Sequence, residues 1–84
     1  MRQIDGKYKN SGDITKLDGT PIPVDEPLIL FRGKDKLLLP LLEHYKELCA
    51  ANGSPTALLE ILQERMDIIK DWQAANPDKL KIPD

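Results

Sequence analysis

The chain is poor in the residues that most often do chemistry. It has one cysteine, Cys49, and one histidine, His44. A lone cysteine excludes an internal disulfide, and the two residues together fall short of a usual zinc site. On one helix, positions 44 and 49 point about 140° apart, so they cannot work as base and nucleophile within one chain. His44 reads as a boundary residue and Cys49 as a small core residue. The five glycines include no Walker spacing. Two acidic pairs, Glu43/Glu47 and Glu60/Glu64, are spaced four apart on helix outer faces and read as solvated surface. The expectation is therefore a protein with no catalytic residues, no metal and no cofactor, and not an enzyme.

Charge of one sign is missing too. The net charge is -2, with five basic and five acidic side chains in residues 1–33 and seven and nine in residues 34–84. No half carries the basic patch that tracks a nucleic-acid backbone, so no nucleic-acid partner is expected. No apolar run approaches a membrane span. The start, Met1-Arg2-Gln3-Ile4-Asp5, lacks an apolar signal-peptide core. With the single cysteine, these absences point to a cytoplasmic protein without a membrane partner. Aromatic residues are few (Tyr8, Phe31, Tyr45 and Trp72), so leucine and isoleucine must make the core.

What is present suffices for one small domain over residues 1–84. A chain this short buries a modest share of its surface, and self-association as a homodimer would add to that share. Residues 1–33 read as strands and loops. Residues 6–9 and 14–17 are strand candidates, and Asn10-Ser11-Gly12-Asp13 is a turn. Asp18-Gly19 is hairpin chemistry. Pro21, Pro23 and Pro27 stiffen an extended connection. Leu28-Ile29-Leu30-Phe31 is expected as the central strand of a small antiparallel sheet, covered on both faces.

A helix is expected over 34–52, capped by Asp35. It should start with an early turn and a distorted junction at Pro40, and stop at Asn52-Gly53. Its apolar stripe is Leu38, Leu41, Leu42, Tyr45, Leu48 and Cys49. A second helix is expected over 54–76, with Ser54 as cap and Pro55 at its first position, stopped by Asn76-Pro77. The short connection predicts an antiparallel pair. The tail, 77–84, reads as extended, an edge strand laid on the sheet. The expected fold class is α+β: a small antiparallel sheet packed on an antiparallel two-helix hairpin.

The second helix has an apolar arc about half its circumference wide, broader than a two-layer helix needs. Leu59, Met66 and Trp72 on that arc are the candidate interface with a protein partner or a second copy. Arg65 lies inside the arc and needs a partner if buried. Asp35 or Glu43 is the expected acid. At the turn before the first helix, Arg32, Lys34 and Lys36 stand beside free helix amides. With Arg65 they form a candidate site for an anionic or phosphorylated small molecule.

The combination Leu30-Phe31-Arg32-Gly33-Lys34-Asp35, then Tyr45 and Cys49, then Trp72-Gln73, resembles short accessory proteins of bacterial phages and prophages. The resemblance covers roughly residues 25–76. It implies an accessory or host-interaction role, no particular reaction, and no functional residue to carry over.

Overall fold

The computed structural model describes residues 2–3, 7–10, 12 and 14–83. The chain divides into two compact units, Met1–Leu30 and Phe31–Asp84.

The first unit is built from local turns. Segments β1 (Arg2–Gln3) and β2 (Lys9–Asn10) pair antiparallel, with Arg2 opposite Asn10 and Gln3 opposite Lys9. Asp18-Gly19 makes the turn its chemistry suggests. Gly19 takes φ 91°, in the left-handed region where a side chain is strained. Lys16 N–H donates to the Thr20 carbonyl at 2.8 Å and Ile22 N–H to Ile14 at 3.0 Å. A single bridge joins Thr15 to Pro21. The Asp18 carboxylate accepts the Thr20 backbone N–H at 2.9 Å, and this bond holds its pKa below the ordinary aspartate value.

The expected sheet does not form. Beyond the two-residue pairing of β1 and β2, no β-sheet is seen among the described residues. Residues 28–31 are no strand at all, and Ile29, Leu30 and Phe31 are 68%, 44% and 45% exposed. Four apolar residues in a row become a strand only beside a ladder partner. The neighbouring candidate, residues 20–27, has three prolines without N–H groups and offers too few donors. The expected strand at 6–9 and turn at 10–13 lie partly outside the described residues.

The second unit is an antiparallel helical hairpin, α1 (Leu38–Ala51) and α2 (Thr56–Ala75). Helix α1 starts four residues later than expected. Pro40 is its third residue, where the N–H groups have no intrahelical acceptor, so proline sacrifices nothing. Ahead of it come two turns, Asp35 N–H to Arg32 at 3.0 Å and Leu38 N–H to Asp35 at 3.2 Å. Asp35 Oδ1 accepts the Leu37 N–H at 2.7 Å, two residues short of the cap position, which Leu37 holds.

The end of α1 is closed by its own backbone. Gly53 takes φ 78°. Ser54 N–H reaches back to Cys49 at 2.9 Å and Gly53 N–H to Ala50 at 3.3 Å, the two bonds of a Schellman motif. Ser54 is thereby drawn into closing α1 and makes no side-chain cap for α2. Pro55 moves one place out, and its carbonyl accepts the Leu58 N–H at 3.0 Å. Asn52 and Asn76 end the two helices the same way. Each side-chain amide donates at 2.8 Å to a carbonyl four residues back, Leu48 and Trp72.

The tail is not an edge strand. Pro77–Lys79 forms a short 3-10 turn, and Lys81 then makes a single parallel bridge with Asp35. Lys36 N–H donates to Lys81, and Lys81 N–H to Lys34, each at 3.0 Å. No described helix is long and apolar enough to cross a membrane.

Candidate functional site

The hairpin has two unlike sides. On α2 the half-buried or buried stripe is Leu59, Leu62, Met66, Ile69 and Gln73, and it faces α1. A second stripe, Leu58, Ile61, Arg65, Ile68 and Trp72, has the same three-four spacing and is exposed. It lies about 100° from the first, in the direction of decreasing residue number. On α1 the exposed residues Leu41, Tyr45 and Leu48 are displaced by about 70° on average from the covered ones, Leu38, Leu42 and Cys49, in the same sense. Because the helices run in opposite directions, rotations of the same sense bring both exposed stripes to one side. The polar link between the helices follows the same geometry. Lys46 Nζ donates to Gln63 Oε1 at 2.6 Å, and Gln63 Nε2 to Asp67 Oδ1 at 2.9 Å. All three residues rotate the other way from the covered stripe and mark the opposite, polar side.

The apolar side ends in a pocket. Arg65, Ile68, Ile69 and Trp72 of α2 meet Arg32, Gly33 and Lys34 of the loop before α1, with Lys79 from the tail, around a space of about 690 Å³. The loop is tied down from three directions. Gln73 Nε2 donates to the Gly33 carbonyl at 2.9 Å and to that of Asp35 at 3.3 Å. The tail clasps Lys34 and Lys36 through Lys81. Gly33 lies on the Trp72 indole, where a Cβ would sit 3.5 Å from Cε3, an ordinary contact.

Four cationic residues line the pocket and, among the described residues, no carboxylate does. The C-terminal end of α2 offsets part of this charge. A helix end carries only about half an elementary charge, against four positive groups. The pocket therefore stays electropositive, and its apolar floor gives an anion's organic part a place to rest.

Three of the four residues picked from sequence as anion binders, Arg32, Lys34 and Arg65, thus line one pocket. Lys36 does not line it. Its backbone is engaged with Lys81, one step along the loop. Arg65 stands exposed, and among the described residues no ion pair joins it to Asp35 or Glu43, contrary to the pairing expected. Of the interface candidates, Leu59 is half-buried and Met66 is 6% exposed inside the hairpin, so Met66 has no surface to give a partner. Trp72, 40% exposed, belongs to both the apolar side and the pocket. Lys79 escaped the sequence reading. Its signal is Asn76-Pro77, which turns the chain back over the helix it has just ended.

His44 is exposed and Cys49 buried. Among the described residues no group of three His, Cys, Asp or Glu is placed to hold a metal. Compared with known proteins, the chain matches no family model, no curated protein and no solved structure.

Proposed function

We propose that the chain is a small non-enzymatic interaction protein that works through the apolar side of its helical hairpin, first by binding a second copy of itself. The observation that supports this is the placement of two exposed apolar stripes on one side. The spacing 58, 61, 65, 68, 72 is that of a coiled-coil seam, and such a seam fits a helix of like spacing, which a second copy supplies. Two hairpins joined on these sides make a four-helix bundle. The side measures on the order of 500 Å² in projection, from helix rise and diameter. That is comparable with the ~800 Å² per partner of a standard interface. Arg65 in the seam is the single polar position that fixes register. Among the described residues only Leu38, Cys49 and Met66 are buried, and so small a core gains most from a partner.

In the phage or prophage setting that the sequence resembles, such a protein is an accessory factor acting by self-association or on a host protein in the cytoplasm. The test is light scattering coupled to gel filtration across a concentration series. A dimer that Ile61→Lys converts to monomer supports the reading. A strictly monomeric wild-type chain at every concentration removes self-association.

A second reading is favoured by the cationic pocket. There the chain sequesters an anionic or phosphorylated small molecule.

A further inference from the structure

The geometry points to the pocket between the 32–34 loop and the C-terminal half of α2 as a site for a nucleoside diphosphate or a closely similar ligand, a flat ring system carrying a compact multiple negative charge. This deepens the small-molecule reading and does not rest on self-association.

Charge, shape and surface chemistry each restrict the ligand. Arg32, Lys34, Arg65 and Lys79 come from three separate parts of the chain and converge without a carboxylate among the lining residues. Like charges brought together repel, and a ligand with two or more negative charges relieves several repulsions at once. Two of the four are arginines, whose planar forks match phosphate oxygens in pairs. Trp72 and Ile68 are 40% and 48% exposed on the floor. Gly33 covers part of the indole, and the remaining surface offers a flat apolar platform beside the cations. Base–aromatic stacking is the contact such a platform makes. Inorganic phosphate alone leaves the platform unused, and a plain hydrophobe leaves four cations unpaired. The volume, about 690 Å³, lies within the range of small-molecule sites.

The loop is set in advance. Gln73 holds the Gly33 carbonyl and the tail holds Lys34 and Lys36, so the backbone that carries Arg32 and Lys34 has already lost freedom that binding would otherwise have to remove.

Trp72 is the only tryptophan, so its fluorescence reports the pocket directly. ADP, adenosine and pyrophosphate are titrated into the full chain, with calorimetry alongside so that an optically silent complex is still seen. Sedimentation at the same concentration records the oligomeric state, which separates failure of this site from failure of self-association. The expected result is saturable ADP binding, with adenosine and pyrophosphate each weaker by about tenfold or more, the loss of charge-assisted bonds or of stacking. Arg65→Gln weakens ADP by about tenfold, while Lys36→Gln, in the same basic run but outside the lining, changes it by less than about twofold. Circular dichroism confirms that both variants are helical. Three results overturn the inference: no ADP binding by either method up to millimolar ligand, adenosine binding as tightly as ADP, or Lys36→Gln weakening ADP as much as Arg65→Gln, which marks diffuse attraction instead of a site.

Discussion

Helix α2 carries two stripes of nearly the same chemistry. One runs Leu59, Leu62, Met66, Ile69 and Gln73; the other runs Leu58, Ile61, Arg65, Ile68 and Trp72. Each has four apolar residues and one polar one at heptad spacing. The first is covered by α1, and the second is exposed, Ile61 by 61% and Ile68 by 48%. Composition does not distinguish the two. A neighbour does, since apolar side chains leave water only where another surface meets them. The polar members differ in the same way. Gln73 has found two backbone carbonyls, whereas Arg65 is exposed and lines the pocket.

The sharpest test of that contrast is one substitution in each stripe. Met66→Ala should lower unfolding stability by about 2–5 kcal/mol, the cost of a cavity where a buried side chain stood, read from the urea midpoint. Ile61→Lys should leave the stability of the monomer within about 0.5 kcal/mol while abolishing dimer formation. A large stability loss in the Ile61 variant measured below the dimerisation range would mean that the outer stripe is covered within the single chain. Gly53→Ala tests the hairpin that brings the stripes into line. A side chain at φ 78° should cost about 1 kcal/mol, seen in the melting temperature without change in oligomeric state. Gln73→Ala should cost a similar or smaller amount, about 0.5–1.5 kcal/mol for a hydrogen bond. It should also quicken exchange of the amides in residues 34–36. The smallest effect belongs to Gly33→Ala, expected within about 0.5 kcal/mol, because its Cβ meets Trp72 at ordinary contact distance and its φ is not positive.

The first unit offers one pH-dependent contrast. Asp18 has its pKa lowered by the Thr20 N–H. A carboxylate depressed in the folded state stabilises above its unfolded pKa, and that contribution disappears as pH falls through the folded value. Asp18→Asn should therefore flatten a small loss of order around residues 16–20 in acid, measured by amide chemical shifts. Equal acid sensitivity in the variant would assign the effect to other groups.

The helical unit was largely legible because its signals are local. Asn52-Gly53 and Asn76-Pro77 mark helix ends through properties of the marked residues themselves, and the short connection between them dictates an antiparallel pair. The sequence placed Arg32, Lys34 and Lys36 at one turn but could not say whether Arg65 reaches it; the pocket lining holds Arg32, Lys34 and Arg65 and omits Lys36. What failed depended on partners. Residues 28–31 have strand composition, but the proline-rich neighbour could not supply a ladder. Ser54 has cap chemistry, but its N–H closes α1 and the cap position of α2 falls to Pro55. Met66 sat on a wide arc, and only the rotation of α2 against α1 decides which part of an arc is covered. The bonds from Gln73 to the loop and the bridge of Lys81 with Asp35 span 38 to 46 residues, a separation over which periodicity says nothing.

Arg65, Ile68 and Trp72 belong at once to the outer stripe and to the lining of the pocket. Two equilibria that use the same side chains cannot be independent. If a copy of the chain seats on the stripe, it alters the free energy of any anion in the pocket, and by thermodynamic reciprocity the anion alters assembly by the same factor. With three side chains in common, a ligand bound in the pocket would need no moving part to change assembly. The concentration at which a dimer formed would itself be the readout.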